Sequence, residues 1–242
     1  MFAFDEALVA LLGATTALPR GSMRLARALA GMRPSLTCYP ARTRYGTIIC
    51  DIRESACFGL ATKGEITHWR ADEEALSAIP LDHASVVLDV GANIGVMMRM
   101  FASRAGHVHA FEPSPRALRL LRLNAPANCT IHPFAIGDIN GTVRFAEEEA
   151  LDESHVAETG IEVPMRTIDS LGLKPALIKI DVEGFEPAVL RGAAETLAHG
   201  PSIMFEALCQ EALDECSSTI LAANPRYRIS DMGSGLNFLA AI

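Results

Sequence analysis

The sequence predicts a doubly wound α/β domain on a mostly parallel sheet, and three observations carry the prediction. Short apolar runs rich in β-branched residues recur from Ser85 onward, segments with apolar residues at helical spacing separate them, and the first run ends in a glycine-bearing turn. Strands alternating with helices imply βαβ units, and strands covered on both faces read as continuous apolar runs. With 242 residues, half of them hydrophobic, the chain can bury one large core or two small ones without disulfide or metal staples.

Two regions are expected: a preface of helices and strands over residues 1–80, packing on a main domain over 81–242. The preface opens with a mildly apolar run, Ala7 to Leu18. Arg20, Arg24 and Arg27 follow at helical spacing, with Leu25, Ala28 and Leu29 between them. That pattern suits an amphipathic helix on a membrane surface or a helix packed on the domain with its arginines in water, and the second reading is favoured. After Pro34, strands are expected over 46–52 and 56–61, a turn at Gly64, and a short helix over 72–79.

The main domain begins with a strand over 86–90. A helix follows, with Ile94, Met97, Met98, Phe101 and Ala105 on one face and Gly106 as its stop. A second strand covers 108–111; Ser114 then offers an N-cap, with Pro115 at the first helical position, and that helix runs toward Asn124. A third strand is expected over 130–136, a fourth over 176–180, a helix over 186–198 and a fifth strand over 202–207. Between the third and fourth strands lies an insertion, 141–170, in which 142–145 and 162–166 pair as strands and the acidic stretch 147–153 forms a solvated loop or lid. The tail, 227–231 and 236–240 around Gly233 and Gly235, reads as a hairpin closing the sheet edge.

A formal net charge of −8 opposes a broad nucleic-acid footprint. None of the six cysteines forms a C-x-x-C pair, which argues against structural zinc and for a reducing cytoplasm; Cys57 and Cys129 lie in apolar runs as small hydrophobes. Asp5 and Glu6, and no Lys or Arg, precede the N-terminal apolar run, the wrong order for a signal peptide, and the run is too short to span a bilayer.

Asp89-Val90-Gly91-Ala92-Asn93-Ile94-Gly95 lies between the first strand and its helix. Glycine belongs where φ is positive or a ligand approaches the backbone, and a nucleotide-like ligand binds at the carboxyl ends of such strands. Glu112 ends the next strand, 21 residues after Gly91, where a carboxylate can accept hydrogen bonds from ribose hydroxyls. Asn93 stands where a dinucleotide fingerprint needs glycine, and Asp89 would repel a pyrophosphate. Both features favour a cationic ligand that bears an amino acid, such as S-adenosylmethionine.

The runs VVLDVGANIG, HAFEPSP, AIGDINGTVRF, MRTIDSL, LIKIDVEGFEPAVLRGA and IMFEA, in this order from Val86 to Ala207, resemble the FkbM-type methyltransferases. The resemblance implies a Rossmann-like class I methyltransferase fold with strand order 3-2-1-4-5-7-6 and an antiparallel seventh strand. It implies methyl transfer from S-adenosylmethionine, leaving S-adenosylhomocysteine, to a hydroxyl of a sugar, glycolipid or secondary metabolite. By position, Asp89, Gly91, Ala92, Asn93 and Gly95 would form the cofactor loop, and Glu112 with Pro113 would hold the ribose. Ala135 and Asp138 would lie near the adenine, and Asp181 and Glu183 beside the transferable methyl.

Methyl transfer to an alcohol is a direct displacement, so the enzyme must align the reactants and remove one proton. Lys179, Asp181, Glu183 and Glu206 are the polar residues at the strand ends. Asp181, Glu183 and Glu206 are the catalytic candidates, because carboxylates this close raise at least one pKa. No metal is expected, although the same carboxylates suit Mg²⁺. His68, Trp69 and His155 lie in segments able to fold over the site, but surface positions are favoured for the two histidines and Trp69 suits the core equally well, whereas His107, His109 and His132 are expected to be structural. Two competing readings are a nicotinamide-dependent oxidoreductase on a similar sheet and a cofactor-binding module without catalysis. A homodimer is compatible with the sequence.

Overall fold

The computed structural model describes residues 2–14, 19–65, 69–148 and 154–242. The chain divides into two compact units, Met1–Trp69 and Arg70–Ile242.

The first unit contains α1 (Phe2–Ala14), α2 (Pro19–Met32), a 3-10 turn (Pro34–Cys38), the antiparallel pair β1 (Tyr39–Thr43) and β2 (Gly46–Cys50), and α3 (Ser55–Lys63). Its interior is Val9, Leu12, Ala26, Leu36, Ile48 and Leu60. The expected strand over 56–61 is instead the middle of α3. Its alanines favour helix, Leu60 and Cys57 point inward three residues apart, and Gly64 closes the helix in a left-handed C-cap, its N–H donating to the Leu60 carbonyl. A short apolar run of this kind fits either periodicity, and the C-cap glycine decides it.

The boundary falls after the first residue of α4 (Trp69–Ser77), the helix expected over 72–79, and the second unit runs from the rest of that helix into the main sheet. Its strands are β3 (Val86–Val90), β4 (His107–Phe111), β5 (Cys129–His132), β10 (Leu177–Ile180), β11 (Ser202–Glu206), β12 (Arg228–Asp231) and β13 (Asn237–Ala241). From one edge the order is β5-β4-β3-β10-β11-β13-β12, with β13 antiparallel to β11 and β12. In sequence order that is 3-2-1-4-5-7-6 with an antiparallel seventh strand, as the resemblance implies. The order reverses between β3 and β10, which run parallel with Asp89 opposite Lys179 and Val90 opposite Ile180. Leu88, Val90, Ile178, Ile180, Ile203 and Phe205 are buried in one core with Val189, Leu190 and Leu197.

The helices are α5 (Val96–Ala102), α6 (Pro115–Asn124), α7 (Glu186–Arg191), α8 (Ala194–Ala198) and α9 (Gln210–Ala223). Ser114 caps α6, its hydroxyl accepting from the Ala117 N–H, and Pro115 opens the helix as expected. The helix expected over 186–198 is broken into α7 and α8. The backbone leaves helical values at Gly192 (φ −77°, ψ 4°) and Ala193 (φ −120°, ψ 12°), and Gly192 packs so close to the Gly137 carbonyl that only glycine fits there.

The third strand also ends sooner than expected. Pro133, which has no N–H to donate, stops β5 at His132, and 135–136 join a separate sheet. That four-stranded sheet has the order β6-β9-β7-β8, from β6 (Ala135–Ile136), β7 (Gly141–Ala146), β8 (His155–Val156) and β9 (Ile161–Arg166). The expected antiparallel pairing of 142–145 with 162–166 is present as β7 and β9. Of the acidic stretch, 149–153 lie outside the described residues.

Candidate functional site

Two loops meet at the carboxyl ends of β3 and β10. In the first, the N–H groups of Gly91 and Ala92 both donate to the Phe111 carbonyl, at 3.1 and 3.0 Å. Gly91 has φ of +78°, and a Cβ on it would collide with the Asp181 carbonyl, so the close approach of the two loops requires glycine. Asn93 adopts φ of +49°, a left-handed conformation that asparagine tolerates better than most residues. Buried Asn124, at the end of α6, donates from Nδ2 to the Ile94 carbonyl at 2.8 Å.

Glu112 fixes the same loop from β4. Its Oε2 accepts from the Asn93 N–H and its Oε1 from the Ser114 N–H, each at 2.8 Å. Burial raises its pKa to about 7 even though both N–H groups favour the anion. Each carboxylate oxygen has two lone pairs, so both can still accept from a ligand hydroxyl.

In the second loop Lys179, on β10, is almost fully buried. Its ammonium donates to the Gly91 carbonyl at 3.2 Å and pairs with Asp181 at 3.0 Å, with Asp89 at 3.8 Å. Burial works against that charge, but Asp181 and Asp89 outweigh it and hold Lys179 above the usual lysine range. Asp89 is completely buried, and among the described residues neither carboxylate oxygen has a donor at hydrogen-bond distance. Desolvation raises its pKa to about 6 against the pull of Lys179.

Beyond Asp181 the backbone turns sharply: Glu183 has φ of +54° and Gly184 +91°. Fully buried Glu186 holds the turn, its Oε1 accepting from the Val182 N–H at 2.9 Å and the Gly184 N–H at 3.3 Å. One carboxylate oxygen each from Asp181, Glu183 and Glu206 converges within 4.8 Å. Glu206, at the end of β11, has a buried Oε2 without a hydrogen-bond donor among the described residues. Desolvation, then Asp181, then Glu186 raise its pKa to about 7. Glu186→Ala should unpin the turn and cost about 1–3 kcal/mol, because two N–H groups lose their acceptor; thermal unfolding measures it, and an unchanged midpoint would show that the turn holds itself.

The remaining expected residues are distributed as follows. Ala135 is buried with Phe145, Val163 and Met165 in the core of the four-stranded sheet. Asp138 pairs with Arg191 at 3.0 Å. Pro113 separates Glu112 from Ser114, whose hydroxyl donates to Glu147 at 2.5 Å, so the start of the acidic stretch touches the cap of α6. His68 lies outside the described residues. Trp69 is buried in the first unit, edge-on to Tyr45, and His155 pairs with Ala146 across β8 and β7. His109 and His132 share a hydrogen bond of 2.9 Å, and burial followed by His109 pushes His132 down to about 4, as befits structural imidazoles.

The donor set has one chemical character. Asp89 Oδ1 and Oδ2, Asn93 Oδ1 and Glu206 Oε2 are buried acceptors without hydrogen-bond donors among the described residues, and Lys179 is already engaged by Asp181 and Asp89. Such a floor matches a ligand rich in donors and positive charge and disfavours a pyrophosphate. It fits the sulfonium and ammonium of S-adenosylmethionine.

A family model described as a methyltransferase FkbM domain matches residues 89–216. Hexuronic acid methyltransferase AglP of Haloferax volcanii is 31% identical over 123 residues, 46% of this chain and 51% of that protein. The chain thus spans about half the length of the curated relative it matches. Among solved structures, precorrin-6y C5,15-methyltransferase from Geobacter metallireducens superposes with a TM-score of 0.47 and 16% identity, covering 75% of this chain and 93% of that one. CalS10, an amino pentose methyltransferase from Micromonospora echinaspora solved with S-adenosylmethionine bound, gives a TM-score of 0.38 and 23% identity, covering 61% and 53% of the two chains.

Proposed function

The chain belongs to the FkbM methyltransferase family, and from that premise we propose that it transfers the methyl group of S-adenosylmethionine to a hydroxyl oxygen of a sugar. The hexuronic acid named for its relative in Haloferax volcanii makes a uronate-bearing glycan the first acceptor to try. The observation that carries the reading is the set of buried, donorless carboxylate oxygens where the order of strands reverses.

In this reading Gly91, Ala92, Asn93 and Gly95 shape the cofactor loop, and Glu112 accepts from the ribose hydroxyls while keeping its two backbone donors. Asp89 and Asp181 outnumber the Lys179 ammonium between them and leave the negative potential that attracts a cation. Ala135 and Asp138 flank the adenine. S-adenosylmethionine, when bound, supplies a methyl group on a sulfonium, already a good leaving group. The protein's remaining task is to align the acceptor oxygen and take its proton. Glu206 takes that proton, because its pKa near neutrality makes it an effective base. Asp181 and Glu183 orient the acceptor hydroxyl. Asp181 already carries the Lys179 ammonium, which a divalent cation would have to face at close range, so the carboxylates are assigned to the acceptor and not to a metal.

The test has two parts. Calorimetry should show binding of S-adenosylhomocysteine and none of NADH, and labelled S-adenosylmethionine should pass its methyl to a uronate-bearing glycan. Binding of NADH alone would overturn the assignment; cofactor binding without transfer to any hydroxyl acceptor would leave a binding module. Asp181→Asn should spare the fold and lower turnover by about 10- to 100-fold through loss of acceptor orientation. Wild-type turnover in that variant would remove Asp181 from the mechanism.

A further inference from the structure

Lys179 is a cation buried where the order of strands reverses. It lies on β10, opposite Asp89 in the register with β3, and is only 7% exposed. An ammonium is costly to bury unless it is paired and hydrogen-bonded. Here it donates to the Gly91 carbonyl and pairs with Asp181 and, at longer range, Asp89. Its charge also acts on Glu112 at the end of β4, on Glu206 at the end of β11 and on Asp72 of α4. Lys179 is thus a fixed positive charge, and each of these ionisable neighbours is a carboxylate.

Asp181 is fixed at its backbone and loose at its side chain. Its N–H donates to the Val90 carbonyl at 3.1 Å, and its own carbonyl lies where a Cβ on Gly91 would be. The side chain is 42% exposed, and among the described residues no donor or cation other than Lys179 meets its carboxylate. Two exposed partners in an ion pair would gain little. Lys179 is different, because burial and the Gly91 carbonyl hold it in place before it meets Asp181. A charge-assisted bond from so rigid a donor selects one orientation of the carboxylate. In that orientation Asp181 brings an oxygen to within 4.8 Å of those of Glu183 and Glu206.

We propose that Lys179 is a positioning residue for methyl transfer: its buried ammonium aims the Asp181 carboxylate at the acceptor hydroxyl and ties it, through the Gly91 carbonyl, to the loop after β3. This role rests on the proposed transfer to a hydroxyl oxygen. Misplacing a group at the reacting centre by about 1 Å can slow a reaction about a hundredfold. The loss of Lys179 therefore belongs in turnover and acts through Asp181.

Lys179→Met keeps the length of the stem and removes the ammonium. Burial already raises the Asp89 pKa to about 6 against the pull of Lys179, so Asp89 takes up a proton once that pull is gone and the sheet is left without an isolated charge. At saturating cofactor and acceptor, kcat should fall by about 10- to 100-fold, as in Asp181→Asn, while the dissociation constant for S-adenosylhomocysteine changes by less than about fivefold. Lys179→Met/Asp181→Asn should be no slower than the slower of the two single variants, because either substitution removes what the other supplies. A crystal structure of Lys179→Met with S-adenosylhomocysteine should show the Asp181 carboxylate turned toward solvent on an unmoved backbone. Lys179→Gln lacks the charge but can still donate to the Gly91 carbonyl, and it carries the same cycle if the methionine variant fails to fold. Effects that multiply in the double variant overturn the inference, as does an Asp181 carboxylate that stays in place. A loss confined to thermal stability and cofactor affinity, with kcat intact, overturns it in favour of a structural pin. A parent that transfers methyl to no hydroxyl acceptor overturns the proposed function and this role with it; a parent that transfers, with variants whose effects multiply, overturns the role of Lys179 alone.

Discussion

Glu206→Gln should lower kcat by about 10²–10⁴-fold, the range that a positioned general base contributes. The substitution keeps the size of the side chain and removes the basic oxygen, so affinity for S-adenosylhomocysteine should change little. The effect should appear in kcat and not in binding. In the parent, turnover should rise with pH and level off above about 7, where Glu206 becomes ionised. The variant should be slow and lack that limb.

The stability of the same variant has a worked sign. Folding raises the pKa of Glu206 from 4.5 to about 7, so the folded protein holds this proton more tightly than the unfolded chain does. The stability that this supplies is fully present below the unfolded value and is lost as pH rises through 7. Glutamine resembles the protonated form and cannot lose it. Hence the variant should match the parent at about pH 5 and exceed it at about pH 8, by roughly 1–2 kcal/mol once solvent screening at this half-buried site is allowed for. Thermal unfolding at the two pH values, beside the pH–rate profile, tests both halves. A slow variant with an intact pH limb would assign the proton to another group, and a fast one would remove Glu206 from catalysis. More stable yet less active is the expected signature of a carboxylate kept in a poor place for charge because the reaction needs it there.

The parts of the fold legible in the sequence are those whose signal is local. Val86–Val90 is apolar but for Asp89 because the strand is covered on both faces, and Ser114-Pro115 marks the start of α6 by cap chemistry. Where the signal is local but two-valued, the reading fails. Residues 56–61 carry apolar side chains that suit a strand or a helix, and Pro133 and Gly192 break elements whose hydropathy runs on past them. The 14-residue α9 gave no comparable signal, since only Cys216 and Ile220 along it are buried.

The candidate site follows the same rule. Its carboxylates are visible as motif residues at strand ends, but their relations are not. Glu186 reads as a helix start, and only the folded chain shows it beneath the turn with two N–H groups to hold. Asp138 meets Arg191 across 53 residues, a pairing without any periodicity in the sequence. Asn124 supports the loop after β3 from 30 residues away.

Glu112→Ala is expected to raise the dissociation constant for S-adenosylhomocysteine by about two orders of magnitude or more. Spacing alone suggested one role for this residue, the proposed grip on the ribose; its position adds another, as a brace for the loop. The carboxylate also holds the Asn93 and Ser114 N–H groups, so its removal leaves two donors unpaired and frees a loop whose Asn93 sits in the left-handed region. Hydrogen bonds to a charged group contribute about 1.5–3 kcal/mol each, and roughly 2.7 kcal/mol already amounts to a hundredfold in affinity. Glu112→Gln should fall between the two, because one of its ends turns an N–H toward a backbone N–H. Since burial holds the Glu112 pKa near 7, and the ionised form is the better acceptor, the parent's affinity should weaken as pH falls below that value. The glutamine variant should respond less steeply. Calorimetry across this range separates the roles. If the alanine variant stays folded and binds as tightly as the parent at every pH, Glu112 braces the loop without touching the ribose, and the cofactor's sugar must be held elsewhere.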